Sequence, residues 1–356
     1  MAAESNWSEL PKDLLYLIWQ QIDNETDLIR FRSICSHWRS SSIPPIQHSN
    51  ILLSKFPHLS KFPFNFSKCS YFLIKQPPQQ QQIALFRPWL IRVTQNLSGK
   101  TKLSEFPLLP FNLTSPFQSS LDLNRFSLLH LGTNFIIDFK ELTLYRYMFP
   151  KKVVTVTPLI LAILLDNNHL VLLRSGDECW TDLLSSIQDI CVFNGWIYAV
   201  EVGGTTAKIG PEDLSVQLVV NRVLGRSGDI KFLVENEGEL LLVDIEENFY
   251  FDSSLEYTFE DALTIHVFRI DEKEKEWVEL TSLRDKILFL GYGCSFSVSA
   301  SDISAVKGNC VIFMDDVFEN SRICDNGMCV FDLDQDQLSP LSDYPDYLKL
   351  FRPPPN

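Results

Sequence analysis

Apolar residues in the first part of the chain recur at helical spacing. Those that repeat every four residues, as on one face of a helix, are Leu14, Ile18 and Ile22. Pro11 stands where the first helical turn begins, a position at which its missing N–H leaves no hydrogen bond unmade. Thr26 is predicted to cap a second helix, with apolar positions from Leu28 to Cys35. A third short helix precedes Pro44-Pro45, which ends the helical region.

Further along the chain, the hydrophobic period changes from that of helices to that of strands. Pairs of apolar runs flank short polar turns within residues 189–200, 230–245, 265–280 and 328–341. In the first pair the turn is Asn194-Gly195, the kind of dipeptide that most strongly predicts a two-residue β-hairpin. Because hairpin follows hairpin, the pattern predicts an antiparallel, all-β architecture.

Two segments of this β region resemble each other. Residues 170–183 and 266–280 each hold an apolar strand, a polar turn and a tryptophan, and Trp180 and Trp277 lie 97 residues apart. That separation equals two repeats of about 40 to 50 residues, the length of a propeller blade. The region after residue 47 is therefore expected to form about six or seven blades, closed into a ring that removes the long unpaired edges of an open sheet. A two-sheet sandwich is the structural alternative, although the region is long for one.

The charge distribution changes sharply along the chain. The 356 residues carry a formal net charge of -14 with a pI near 4.9, which argues against nucleic acid as the main ligand. Residues 1–47 carry -2, residues 48–152 carry +9 and residues 153–356 carry -21. The basic and acidic blocks either pair within one domain or present differently charged faces to a partner. The acidic excess favours a basic patch on that partner, with salt-sensitive binding.

The sequence predicts a protein of the nucleus or the cytoplasm, outside the membrane. The stretch from Met1 to Trp7 lacks the basic segment and the apolar run that are typical of a secretory signal, so none is expected. The longest apolar run, Val153–Leu165, has 13 residues and contains Pro158, whereas a membrane-spanning helix needs about 20. The eight cysteines of the chain are expected to be reduced and buried rather than bridged.

The spacing of the chemically active side chains predicts no catalytic residues, no metal site and no cofactor. The histidines and cysteines lack the spacing of a zinc site. Asp332-x-Asp334-x-Asp336 copies the start of a calcium loop but has Gln337 where glycine is required, so a solvated hairpin turn is expected. Gly291-Tyr292-Gly293 lacks the third glycine of a dinucleotide fingerprint and is interpreted as a β-bulge.

The helical segment resembles the F-box, a small helical module that binds a Skp-type adaptor. The resemblance lies in Leu10-Pro11-x-Asp13-Leu14-Leu15-x-x-Ile18 and in the downstream pattern Arg32-x-x-Cys35-x-x-Trp38-Arg39. It implies that the following residues face the adaptor: Leu10, Pro11, Leu14, Leu15 and Ile18. It also implies that Trp38 braces the module. Three helices of this size rarely close a core alone, which leaves an apolar surface for another protein. The alternative is a helical hairpin that packs onto its own downstream domain.

The C-terminal part resembles plant F-box proteins that carry a kelch-like β-propeller. The resemblance lies in four segments of the chain: Leu288–Ser297, Gly308–Phe313, Val330–Leu333 and the closing Pro353-Pro354-Pro355. Together the two resemblances imply an α+β multidomain chain, with a three-helix F-box at residues 5–46 and an all-β propeller at 50–356. The Pro/Gln tract near 76–82 is expected to be an exposed loop inserted in the propeller.

These resemblances imply a substrate-recognition subunit of a Skp-cullin-F-box ubiquitin ligase. The F-box would bind the adaptor, and through it the cullin and RING subunits, while the propeller holds an unidentified target protein. Such a receptor needs no catalytic residue of its own. A non-degradative inhibitor or scaffold that sequesters a protein partner is the alternative, and a propeller enzyme is a third, disfavoured by the lack of a site.

Overall fold

The computed structural model describes most of the chain in separate stretches. These are residues 7–22, 24–42, 64–76, 87–96, 101–104, 126–139, 150–156, 160–165, 167–174, 177–221, 228, 230–247, 263–303, 307–314 and 328–351. The predicted loop near 76–82 lies, apart from Gln76, outside the described residues. None of the described helices is long and apolar enough to cross a membrane.

Three helices form the N-terminal part of the described chain. A short 3-10 turn, Trp7–Glu9, precedes α1 (Lys12–Gln20), α2 (Glu25–Ser33) and α3 (Ser36–Ser41). Pro11 is the N-cap of α1, one position before the first helical turn in which the sequence predicts it. The predicted cap of α2 is wrong: the Thr26 backbone N–H donates to Asn24 Oδ1 at 2.8 Å, so Asn24 is the cap. Asparagine is preferred over threonine at the position that caps a helix N-terminus.

The predicted extent of α2 also needs correction, because α2 ends at Ser33 and a separate helix follows. Cys35 caps α3, and its Sγ accepts a hydrogen bond from the Trp38 backbone N–H at 3.5 Å. The Trp38 ring packs on Phe31 with centroids 4.7 Å apart, and its Nε1–H donates to the Trp7 carbonyl at 3.1 Å. Trp38 thus braces the module.

Most of the rest of the described chain forms five sheets, which we number as blades 1 to 5. Blade 1 contains β1 (Phe64–Lys75), β2 (Trp89–Asn96), β3 (Thr101–Ser104) and β4 (Ser127–Phe139). Blade 2 contains β5 (Pro150–Val156), β6 (Ile160–Leu165), β7 (Leu170–Arg174) and β8 (Thr181–Leu184). Blade 3 contains β9 (Ile187–Phe193), β10 (Trp196–Glu201), β11 (Thr206–Ile209) and β12 (Val216–Val220).

Blade 4 contains β13 (Ile230–Asn236), β14 (Glu239–Glu247), β15 (Leu263–Asp271) and β16 (Glu276–Glu279). Blade 5 contains β17 (Lys286–Leu290), β18 (Phe296–Ser299), β19 (Cys310–Phe313), β20 (Cys329–Asp332) and β21 (Gln337–Pro340). The strand orders are β3-β2-β1-β4, β5-β6-β7-β8, β12-β11-β10-β9, β13-β14-β15-β16 and β18-β17-β19-β20-β21. Neighbouring strands pair antiparallel, except that β17 and β19 pair parallel.

The five sheets close into a ring. The strands β4, β5, β9, β13 and β18 each contact the next in this order, and β18 contacts β4. These five are the inner strands of a propeller. Apolar clusters join blade 2 to 3, 3 to 4, 4 to 5, and 5 to 1. The structure is therefore a five-bladed propeller, and the sandwich alternative does not apply.

The expectation of six or seven blades is wrong, although the expected repeat length is sound. Trp180 and Trp277 lie at the start of the outermost strands of blades 2 and 4, two blades apart. Blade 1 extends from residue 64 to 139, far beyond a repeat of about 45 residues, and a long connection joins β14 to β15 in blade 4. Dividing the region by one repeat length therefore overcounts the blades.

The predicted hairpin turns are confirmed, with backbone angles that explain their sequences. Asn194 and Gly195 join β9 to β10 with φ values of 49° and 78°, and Glu237 and Gly238 join β13 to β14 with 50° and 83°. Two consecutive positive φ values define a type I′ turn, which matches the twist of the flanking strands. The bulge predicted at Gly291 is wrong, because residues 291–295 connect β17 to β18 and Phe289 pairs with Phe296.

A C-terminal helix, α4 (Pro345–Leu350), joins the last blade to the first. Tyr347, Leu350 and Phe351 are buried in a cluster that also contains residues of β1, β2 and blade 5. Nearby, Arg87 Nη1 donates to the Lys349 carbonyl at 2.7 Å. In the part of the chain that the structure describes, blades 1 and 5 share no strand, and this helix adds to the contacts between them.

Candidate functional site

The outer face of α1 exposes large apolar side chains. Leu14, Leu17 and Ile18 are 48%, 57% and 41% exposed, and they lie at i, i+3 and i+4, on one side of the helix. Together with the exposed Pro11, these residues are called the α1 face. Large apolar side chains are rarely left together in water, so such a face marks an interaction surface.

The structure places the predicted adaptor-facing residues in three environments. Pro11, Leu14 and Ile18 lie on the α1 face, and Leu10 is half-buried at its edge. Leu15 is fully buried inside the module, so its side chain supports the helix packing in this structure. Sequence reasoning missed Leu17. The i, i+3, i+4 spacing from Leu14 was the signal that could have found it.

The start of α1 is held in place by α3. His37 Nε2 lies 2.8 Å from the Leu10 carbonyl, and the bond from Trp38 fixes the turn at Trp7. The Leu10-Pro11 dipeptide therefore has a defined position relative to α3. This arrangement presents the α1 face as a preformed surface, which lowers the entropic cost of binding a partner.

The module is attached to the propeller through α2. Glu25 accepts hydrogen bonds from Lys68 Nζ at 2.6 Å and from Ser70 Oγ at 3.0 Å, both in β1. Ile29 belongs to the apolar cluster of blade 1, beside Phe72 and Trp89. α2 therefore packs on the propeller, as the alternative of a helical hairpin packed on the downstream domain predicts. The α1 face, in contrast, remains exposed.

Two arginines of α2 add polar contacts to the same junction. Arg30 Nη2 donates to the Phe126 carbonyl at 3.4 Å, and Arg32 Nη2 donates to Thr101 Oγ1 at 3.3 Å. Arg32 also donates to Ser42 Oγ at 2.7 Å. Burial, and next the charge of Arg39, lowers the pKa of Arg32. These bonds join the C-terminal half of α2, the end of α3 and blade 1.

The axis of the propeller contains a cavity of about 720 Å³ lined by the inner strands. Its lysines have carboxylate partners: Lys75 pairs with Asp302 at 2.9 Å, Lys152 with Asp189 at 2.8 Å, and Lys286 with Glu237. The cavity thus carries compensated charges.

Two titratable groups of the cavity are held in their neutral forms. Burial lowers the pKa of His130, whose Nε2 lies 3.0 Å from Thr133 Oγ1. Burial likewise raises the pKa of the Cys191 thiol, which keeps it protonated and weakly nucleophilic. In the part of the chain that the structure describes, no group of three His, Cys, Asp or Glu side chains could hold a metal ion.

The calcium-like segment is a hairpin turn whose carboxylates pair with the ammonium group of a lysine side chain. Asp332 Oδ1 accepts from the backbone N–H of Asp334 at 2.9 Å. The Lys307 ammonium lies 3.0 Å from Asp332 and 2.8 Å from Asp334. Its hydrogen bond, and next that of Asn309, lowers the pKa of Asp334. The predicted hairpin turn is confirmed.

Taken together, these features define a five-bladed β-propeller with an attached helical module whose apolar face is open. Residues 58–332 match the KIB1-4 beta-propeller family, and the chain belongs to that family.

Proteins of Arabidopsis thaliana share nearly the whole length of the chain. F-box protein SKIP23 is 33% identical over 98% of this chain and 95% of its own length. F-box protein At2g17036 is 30% identical over 98% of this chain and 94% of its own length. Putative F-box/kelch-repeat protein At5g24040 is 25% identical over 98% of this chain and 97% of its own length. The resemblance to plant F-box proteins with a kelch-like propeller is confirmed.

Proposed function

We propose that this protein is the substrate-recognition subunit of a Skp-cullin-F-box ubiquitin ligase. The observation that carries the proposal is the α1 face, an exposed apolar surface at the position where the sequence resembles the F-box. Relatives that match the chain from end to end are named F-box proteins. In this proposal the three helices are the F-box, and the protein acts in the nucleus or the cytoplasm.

The proposed mechanism needs no catalytic residue in this chain. The α1 face binds a Skp-type adaptor, which connects it to cullin and RING subunits. A target protein held by the propeller is then close to the conjugating enzyme, so that ubiquitin transfer becomes nearly intramolecular. The contacts of α2 with blade 1 support this proposal because they fix the orientation of the propeller relative to the adaptor.

Reconstitution tests this proposal. The full chain, co-expressed with a plant Skp-type adaptor, a cullin and a RING subunit, is expected to elute from a sizing column as one complex. Proximity labelling in plant cells is then expected to identify a protein whose abundance rises when the proteasome is inhibited. Failure to form the complex would overturn the proposal. A complex whose labelled partner keeps the same abundance would favour the inhibitor or scaffold alternative.

A further inference from the structure

Among the described residues, the outer strands of the five blades have unpaired edges, and the blades differ in how these edges are protected. A free strand edge can pair with another chain, and proteins usually prevent this with charged residues or proline. The outer strands of four blades carry such residues, namely Lys102 in β3, Asp182 in β8, Glu276 and Glu279 in β16, and Pro340 in β21. The outer strand of blade 3, β12, reads Val-Gln-Leu-Val-Val and carries none.

The first half of β12 is open to solvent. Val216 and Leu218 are 44% and 53% exposed, and Gln217 between them is exposed as well. Val219 and Val220 are instead buried in the cluster between blades 3 and 4. Among the described residues, the other large apolar side chains with comparable exposure lie in the helical module. β12 therefore presents an apolar, uncharged edge that the neighbouring blades lack.

The turn that leads into β12 is acidic. Glu212 and Asp213 lie in this turn, four and three residues before Val216, and both are exposed. Asp213 Oδ1 accepts a hydrogen bond from the Ser215 backbone N–H at 2.9 Å. Bonds from Ser215, backbone first and then side chain, lower the pKa of Asp213 and keep it ionised. The Arg174 guanidinium lies nearby, with Nη1 donating to the Glu212 carbonyl at 3.3 Å, but the two carboxylates outnumber this one cation. A net negative charge therefore stands at the N-terminal end of the open edge.

We propose that residues 216–218 of β12 bind an extended segment of the target protein by strand addition. The segment would pair antiparallel with β12 and place alternate apolar side chains against Val216 and Leu218. Because an antiparallel segment ends near the start of β12, its C-terminal residues would be basic and would contact Glu212 and Asp213. This inference rests on the proposed function, since it names the surface of the propeller that holds the target.

A second copy of the chain fits this edge less well than a target segment does. The chain carries a net charge of -14, so two copies repel each other. The open part of β12 is also only three residues long, which is small against the roughly 1,200 Å² that a stable protein interface buries. A short basic and apolar segment meets neither obstacle.

A random octapeptide library displayed on phage tests the inference with the full-length protein as bait. The enriched peptides are expected to alternate β-branched or leucine residues and to end in Lys or Arg. A synthetic copy of an enriched peptide should bind the Leu218→Lys variant about tenfold or more weakly than it binds the original chain. The reason is that the lysine gives β12 the edge protection found on the other blades. Thr181→Lys, at an exposed position of outer strand β8, should leave the affinity unchanged.

Further readouts separate strand addition from other modes of binding. Methylation of alternate peptide nitrogens removes backbone hydrogen bonds and should weaken binding about tenfold, whereas side-chain recognition alone would be unaffected. The inference is overturned if no alternating peptide is enriched, or if the peptides bind Leu218→Lys as tightly as the original chain. It is also overturned if the chain forms a dimer that Leu218→Lys dissociates. The affinity of the Leu218→Lys variant for the adaptor is measured in parallel. If the variant still binds the adaptor while the peptide results overturn strand addition, only this inference fails and the proposed function stands.

Discussion

The chain carrying Leu14→Asp together with Ile18→Asp should bind a plant Skp-type adaptor about 100-fold more weakly than the original chain. Each substitution removes an apolar contact of about 1.5 kcal/mol and would bury a carboxylate in the interface. A total loss near 3 kcal/mol corresponds to about a hundredfold in Kd. Titration calorimetry with the purified adaptor measures this loss.

The double variant should keep its fold, which is what makes the result interpretable. Both side chains are already partly exposed, so the new carboxylates remain solvated in the free protein. Leu15→Asp would be unsuitable, because Leu15 is fully buried and a carboxylate there would disrupt the module. Thr181→Asp with Gln337→Asp is the matched control, since it adds the same charge at exposed strand positions. Equal adaptor affinity of the double variant and this control would contradict the assignment of the α1 face.

Lys231→Met should destabilise the propeller by about 3 to 5 kcal/mol. The Lys231 ammonium is fully buried, and it donates to Asp244 Oδ1 at 2.5 Å and to the Gly228 carbonyl at 2.8 Å. Removing it leaves the Asp244 carboxylate buried without its cation, which costs far more than the lost contact itself. Urea unfolding followed by circular dichroism measures the change in the free energy of unfolding.

A second substitution separates the buried charge from the packing. In Lys231→Met with Asp244→Leu, both charges are gone and apolar side chains fill the space, so much of the lost stability should return. If the double variant is as unstable as the sum of the two single variants, the pair is not coupled and this interpretation of blade 4 is wrong.

The hairpins were predictable because their signals are local. Asn194-Gly195 and Glu237-Gly238 adopt the positive φ values that two-residue turns demand, and apolar runs flank each turn. The number of blades was not predictable by the same reasoning. Blade 1 takes its inner strand, β4, from the end of its own sequence, and blades 1 and 4 contain long connections. Neither feature leaves a periodic signal.

The candidate site was predictable in position but not in detail. The spacing of Leu14 and Ile18 identified one face of α1, yet the neighbouring Leu15 was assigned to the same face. Adjacent helical residues point about 100° apart, and only tertiary packing decides which of them is buried. The hydrogen bonds that Glu25 accepts from β1 join residues more than forty positions apart in the chain. The junction between α2 and blade 1 therefore left no signal in the local sequence.

Amide hydrogen exchange of the full chain, with and without a plant Skp-type adaptor, locates the surface to which the adaptor binds. We expect slower exchange from Leu10 to Ile22 when the adaptor is saturating, with unchanged exchange in the blade 4 strands. That result would locate the adaptor on the α1 face. Unchanged exchange throughout α1 at saturating adaptor, or protection confined to the propeller, would show that the α1 face is not the adaptor-binding surface.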